Sequence, residues 1–242
     1  MGKAGPSNQS AVQDRINKYW TIRSETYDAS PGHGIGSDAE RAAWLGLLKR
    51  LLPDSPSDVL DVGTGTGFLA FLAAELGHKV TGVDLSEGML GLALEKAKGV
   101  ERAPRFLIGD AVAPDFEPGT FDVVMSRHVL WTLRDPSAAF ANWHRLLRPG
   151  GRVVIIDSLW FVDDDEKQTS ELQTEVARAW AEAYSAETRA SLPVMQMKSV
   201  EPVIDLLRAA GYADVAVYSL EEVSRAEARD EDRRYALVAT RP

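Results

Sequence analysis

The chain has 242 residues, 45% of them apolar and 26% charged, with a formal net charge of -9 and no cysteine. That length and apolar share are enough to bury a sizeable core in one domain with attachments, and no run of about 18 apolar residues offers a membrane span, so a soluble protein without a membrane partner is expected. The acidic balance argues against nucleic acid as a partner, and the missing cysteines exclude disulfides, thiolate zinc sites and cysteine nucleophiles, which makes the cytoplasm the default compartment.

Residues 1–10 are rich in Gly, Ser and Asn and lack the apolar stretch of a secretory signal, so they read as a disordered lead. A helical pattern covers 11–20, and Tyr19, Trp20 and Tyr27 place three aromatics within nine residues. Glycines and a proline make 30–37 a loop. A second helix is expected from Asp38 as N-cap to Leu52, because Trp44, Leu45, Leu48 and Leu52 recur at helical spacing and Pro53 stops it. From there the pattern alternates. Strands are expected at 58–62, 79–83, 105–108, 121–125 and 152–157, with helices at 68–76, 87–98 and 137–147 between them. Strands apolar on both faces, separated by helices, imply a doubly wound, mainly parallel α/β sheet with helices on both faces. The rhythm breaks at about 159–198, where the acidic run Asp163, Asp164, Asp165 and Glu166 precedes a helical stretch to Tyr184. A helix at 202–210 and strands at 215–218 and 235–239 close the chain.

The strongest chemical signal is Val59-Leu60-Asp61-Val62-Gly63-Thr64-Gly65-Thr66-Gly67, a buried strand running into three alternate glycines and then a helix. Such a turn needs unusual dihedrals and lets the backbone approach a ligand. Asp84 ends the next strand, where a carboxylate can accept both hydroxyls of a ribose. A dinucleotide fold uses similar parts, but the third glycine of its G-x-G-x-x-G fingerprint would fall on Phe68. Phosphate-loop and serine-nucleophile motifs are absent, and no His, Asp or Glu spacing suggests a metal site.

The ordered set Asp61-x-Gly63-x-Gly65-x-Gly67, Gly82-Val83-Asp84-Leu85-Ser86-Glu87-Gly88-Met89-Leu90, Gly109-Asp110-Ala111, Phe121-Asp122-Val123-Val124 and Leu146-Leu147-Arg148-Pro149-Gly150-Gly151 resembles class I S-adenosylmethionine-dependent methyltransferases. It is most similar to the small-molecule branch typified by ubiquinone and menaquinone biosynthesis. The resemblance implies a seven-stranded Rossmann-like domain over 57–242 with an antiparallel last strand and a helical lid over 11–56. It also implies S-adenosylmethionine as cofactor, S-adenosylhomocysteine as product, and no metal.

By that resemblance Gly63, Thr64, Gly65 and Gly67 lie beside the amino-acid part of the cofactor and Asp84 holds the ribose. Leu85 and Met89 border the adenine, Asp110 accepts from its amino group, and the Ala111 amide sits on the ring. Ser126 and Arg127 touch the cofactor, and Tyr27, of the Tyr27-Asp28 pair, closes over its methionine end. His128 is the imidazole placed for a general base; its other reading is a packing or capping residue. Alternatives also stand for Asp84 as a helix cap, Asp110 as a turn residue, and Met89 and Tyr27 as core.

The acceptor is expected to be a small, partly aromatic or lipophilic molecule. Its site lies between the lid with Tyr19 and His33, the wall at Trp131, and the insert carrying Leu159, Trp160, Phe161, Trp180, Tyr184, Met195 and Met197. The same apolar residues would equally serve a homodimer interface. Methylation of an O, N or C atom is the leading reading. A non-methylating enzyme or regulatory protein using the same cofactor is the alternative, ahead of an NAD-linked oxidoreductase.

Overall fold

The computed structural model describes residues 8–159, 174–228 and 233–242. In chain order the elements are α1 (Asn8–Tyr27), α2 (Asp38–Leu51), β1 (Asp58–Val62), α3 (Phe68–Glu75), β2 (Lys79–Asp84), α4 (Glu87–Ala97), β3 (Arg105–Ile108), β4 (Phe121–Arg127), α5 (Pro136–Leu146) and β5 (Leu147–Ser158). They continue with α6 (Glu175–Ala183), α7 (Ala186–Ala190), α8 (Glu201–Ala209), β6 (Ala213–Tyr218), α9 (Glu221–Ala226) and β7 (Arg234–Thr240), with single 3-10 turns at Leu130–Thr132 and Val194–Gln196.

The strands form one seven-stranded sheet in the order β3-β2-β1-β4-β5-β7-β6. All neighbours from β3 to β5 pair in parallel, and β7 runs antiparallel to both β5 and β6. Alternate residues of each strand feed opposite cores, as the strand period of two requires. Val59, Val123, Met125, Val154 and Ile156 pack under α2, α3 and α9 on one face. Leu60, Val62, Val124, Val153 and Ile155 pack under α5 and α8 on the other. A third, smaller apolar cluster lies beyond the sheet, where Ile16 and Tyr19 of α1 meet Ala179 and Ala183 of α6 together with Trp131, Tyr184, Leu192 and Met195.

Several boundaries differ from the sequence expectation. The first helix begins at Asn8 and continues past Trp20 to Tyr27, because no glycine or proline interrupts it before Pro31. Ser37, not Asp38, caps α2: its Oγ accepts the Glu40 amide at 3.1 Å, while the Glu40 carboxylate reaches back to the Gly36 amide at 2.7 Å. β5 starts at Leu147, five residues ahead of expectation, since Leu147 already pairs with Phe121 and a register shift absorbs the Pro149-Gly150 corner. Helices α7 and α9 were not foreseen, being too short to show a helical period. The acidic run at 163–166 and residues 1–7 of the lead expected over 1–10 lie outside the described residues, while residues 8–10 of that lead belong to α1 and are not disordered. No helix among the described residues is long and apolar enough to cross a membrane.

Candidate functional site

Strand order reverses between β1 and β4, and in open α/β sheets the crevice beyond the carboxyl ends of the strands at such a point receives ligands. A cavity lies there. Its sheet side is lined by Gly63, Gly65, Asp84, Leu85, Met89, Asp110 and Ala111, and its opposite side by Gln13, Ile16, Asn17, Trp20 and Tyr27 of α1. A smaller chamber shares Tyr27, Gly63, Gly65 and Arg127 with it and adds Asp61, Thr64, Thr66, Phe68 and Leu69.

The three glycines of the β1–α3 turn meet three different demands. All have positive φ, at +65°, +56° and +87° for Gly63, Gly65 and Gly67. A Cβ on Gly63 would stand 2.4 Å from a Val129 methyl, and one on Gly67 would strike the rings of Phe71 and Phe106 at 2.8 and 2.9 Å. Gly65 has nothing within 4 Å of that position, so its bare backbone borders the open cavity. Its amide donates to Asp84 Oδ2 at 2.8 Å.

Asp84 ends β2 and uses one face of its carboxylate to fix the turn, accepting from Gly65 and, at 2.8 Å through Oδ1, from the Ser86 amide. Burial pushes its carboxyl above the ordinary range, and the amide bonds from Ser86, Gly65 and Leu85 oppose that. The helix cap is Ser86, whose Oγ accepts the Met89 amide at 3.3 Å, so Asp84 is released from that duty. Asp110 accepts the Val112 amide at 2.9 Å and pairs with Arg134 at 2.6 Å while its side chain still borders the cavity.

The small chamber sets opposite charges against each other. Asp61, only 2% exposed, accepts from Thr64 Oγ1 at 2.7 Å, and burial lifts its pKa to about 7. Arg127 donates to the Gly32 carbonyl and lays its guanidinium 4.0 Å from the Phe68 ring centroid and 4.9 Å from that of Trp44. Asp61 carried no assigned role in the sequence reading, although it opens the glycine motif. Between the two chambers, burial raises the Tyr27 phenol to about 12, so it stays a neutral hydroxyl at physiological pH.

Helix α1 is tied to the glycine turn at its C-terminal end. Asp28 accepts from Thr66 Oγ1 at 2.5 Å and pairs with Lys96 at 2.5 Å, and Lys96 also donates to the Thr66 carbonyl at 3.1 Å. Midway, Thr21 shares a hydrogen bond with Ser86 at 3.1 Å, and Gly88 allows the close crossing of α1 over α4, since a Cβ there would meet Thr21 and Ser24 at 2.8 Å.

Nine of the twelve residues expected at the cofactor line the large cavity: Tyr27, Gly63, Gly65, Asp84, Leu85, Met89, Asp110, Ala111 and Arg127. Thr64 lines the small chamber instead. Gly67 packs against Phe71 and Phe106, and Ser126, 1% exposed at the end of β4, has an Oγ without a hydrogen-bond partner among the described residues. His128 lines the cavity with φ of +57°, a left-handed conformation rare for a side-chain-bearing residue, held by its amide bonding to Ile156 at 3.0 Å.

Of the residues expected at the acceptor, His33 packs on Tyr27 and His128 with ring centroids 4.5 and 5.8 Å apart. Tyr19 and Trp131 lie in the third apolar cluster, where Trp131 Nε1 donates to the His128 carbonyl at 3.1 Å. Trp160 and Phe161 lie outside the described residues. Gln13, Asn17 and Thr132 border the cavity and were not singled out from the sequence. The signal for the first two was the spacing 13, 16, 17, 20, one helical face that also carries Ile16 and Trp20.

Residues 60–155 match the family model described as a methyltransferase domain. The chain is 39% identical over 100 residues to phosphoethanolamine N-methyltransferase 3 of Arabidopsis thaliana, covering 41% of this chain and 20% of that protein. It is 35% identical over 153 residues to demethylmenaquinone methyltransferase of Lactococcus lactis, covering 60% of this chain and 59% of the relative. The chain thus spans a fifth of the plant protein's length and under two thirds of the bacterial one's. In fold it is similar to phosphoethanolamine N-methyltransferase 2 of Haemonchus contortus, solved with phosphomonomethylethanolamine and S-adenosylhomocysteine, with a TM-score of 0.61, 23% identity, and coverage of 97% of this chain and 59% of that one. Residues 60–155 thus match a methyltransferase-domain model, and both of these relatives, each similar to a part of this chain, are methyltransferases.

Proposed function

We propose that this protein transfers the methyl group of S-adenosylmethionine to an O, N or C atom of a small molecule. The observation that carries this reading is the presence of three chemically different surfaces in two chambers that share Tyr27, Gly63, Gly65 and Arg127: apolar walls, the Asp84 carboxylate, and the chamber holding Asp61 and Arg127. Each suits one part of the cofactor. Leu85, Met89 and Ala111 offer a purine its two faces, with Asp110 near its edge. The remaining lone pairs of Asp84 suit a ribose diol, because an ionised carboxylate only accepts. Asp61 and Arg127 match the ammonium and carboxylate of an amino acid, and the open backbone at Gly65 leaves room for the ligand to lie against it.

When bound, the cofactor supplies a methyl group already activated on a sulfonium, so no covalent enzyme intermediate is required. The chain's part is to hold both partners in line and keep water out. Tyr27 donates its neutral hydroxyl at the junction of the chambers, and α1 roofs the site. His128 is assigned the proton of an O or N acceptor, a role supported by its place among the lining residues and by a left-handed backbone whose amide bonds to Ile156.

The test is titration calorimetry with S-adenosylhomocysteine, followed by release of S-adenosylhomocysteine from S-adenosylmethionine across an acceptor panel. Tight binding and acceptor-dependent release are expected. Binding of NADH in place of S-adenosylhomocysteine, or formation of another product from S-adenosylmethionine, would overturn the reading.

A further inference from the structure

We infer that Arg134 is a positioning residue that sets which purine the cavity takes: it holds the Asp110 carboxylate from outside, so that this wall accepts a 6-amino purine and rejects a 6-oxo purine. The inference rests on the proposed reading of Asp110 at the purine edge and deepens it by naming the residue that fixes specificity there.

The Asp110-Ala111-Val112 segment follows β3 and lines the cavity. Three side chains from α5 and the stretch that opens it hold these three residues in turn. Arg134 Nη2 pairs with Asp110 Oδ2 at 2.6 Å, Trp143 Nε1 donates to the Ala111 carbonyl at 2.7 Å, and Asn142 Nδ2 donates to the Val112 carbonyl at 2.9 Å. Asp135 caps the helix by accepting the Ala138 amide at 2.9 Å, and Pro136 takes its first position, so the place of Arg134 is set by the helix start.

Asp110 stands between two compartments. It borders the cavity, whereas Arg134 lines a separate open groove with Pro136, Pro202 and Leu206, so the guanidinium acts on a ligand through the carboxylate. The pair is partly buried, with side-chain exposures of 21% for Arg134 and 33% for Asp110, and Arg134 Nε is buried without a hydrogen-bond partner among the described residues. A desolvated pair with an unmet donor adds little to stability, so its consequence is geometric. With Oδ2 taken by Arg134 and Oδ1 by the Val112 amide at 2.9 Å, the carboxylate is held against rotation, and its remaining lone pairs are what this edge presents. An ionised carboxylate only accepts. The exocyclic amine of a 6-amino purine donates to it, while the carbonyl of a 6-oxo purine sets lone pairs against lone pairs and leaves both acceptors unmet.

The experiment titrates the full chain by calorimetry with S-adenosylhomocysteine and with S-inosylhomocysteine, in which a 6-oxo group replaces the 6-amino group. The wild type is expected to bind S-adenosylhomocysteine at least about tenfold more tightly than its 6-oxo counterpart. Arg134→Met, which keeps the stem and removes the charge, should reduce that preference to about threefold or less, and Arg134→Lys, which still gives one charged donor, should retain most of it. In an Asp110→Ala background Arg134→Met should change neither affinity by more than about twofold, because its effect passes through Asp110. Equal wild-type affinity for the two ligands, a preference unchanged in Arg134→Met, or the same loss with and without Asp110 overturns the inference. Absence of S-adenosylhomocysteine binding to the wild type instead removes the methyl-transfer reading, so the two failures are separable.

Discussion

The two sides of the cavity are built on different principles. On the sheet side, nearly every wall residue belongs to a strand end or to the turn that follows it, and backbone geometry positions the side chains: Asp84 is clamped by two amides, and Gly63 and Gly67 let neighbours close in. On the opposite side the walls come from α1 and the segment after β4, held together by side-chain hydrogen bonds and edge-on aromatic contacts such as Tyr19–Trp180 and Trp20–Trp131. A sheet edge fixes position to a fraction of an ångström, since each strand is braced by its neighbours. A helix tied on by side chains can be re-aimed by a few substitutions while the sheet stays unchanged. Under the proposed function, the stiffer sheet side would hold the constant cofactor and the α1 side the variable acceptor.

Mutations should separate the two sides. The largest effect is expected from Asp84→Ala, which removes the proposed acceptor for the ribose and releases the Gly65 and Ser86 amides; S-adenosylhomocysteine affinity should fall on the order of 100-fold by calorimetry. Unchanged affinity would take Asp84 out of the site. His128→Asn, chosen because Asn tolerates a left-handed backbone, should lower kcat on the order of 10- to 100-fold for an O or N acceptor while leaving S-adenosylhomocysteine affinity in place. An equal loss in both would return His128 to a packing role. Arg127→Lys keeps the charge but loses the planar stack on Phe68 and Trp44, so about a tenfold weaker cofactor affinity is expected. Wild-type affinity would show that the stack is dispensable.

Asp61 supplies a pH-dependent prediction. Its folded pKa, lifted by burial to about 7 from an ordinary 3.8, means that the folded state keeps a proton the unfolded state has released. Its contribution to stability is therefore intact below about pH 4 and is lost as pH rises through about 7. Thermal melts from pH 5 to pH 8 should show a smaller decline for Asp61→Asn than for the wild type. An ammonium group beside Asp61 favours its ionised form, so cofactor binding near neutrality should release a proton, detectable as a binding enthalpy that varies with the buffer's ionisation enthalpy. The smallest effect is expected from Asp28→Ala, which cuts the partly exposed tie between α1 and Lys96: a few-fold faster S-adenosylhomocysteine release with little change in Tm.

The sequence by itself determined the sheet side of the cavity. Apolar strands alternating with helices, a turn whose glycines cannot be replaced without positive-φ strain or collision, and a carboxylate at the end of the next strand are all local features, each written within a few consecutive residues. The same locality made Asp110 and Ala111 legible at the end of β3. Tertiary structure alone decided the rest. That Gln13 and Asn17 face the cavity follows from how α1 crosses α4 at Gly88, a contact between residues far apart in the chain. Tyr19 and Trp131 suit both a pocket wall and a core by type, and only the packing of α6 shows both in the third apolar cluster. The burial that lifts the Asp61 pKa has the same origin, since desolvation depends on everything packed around a group and not on its neighbours in sequence.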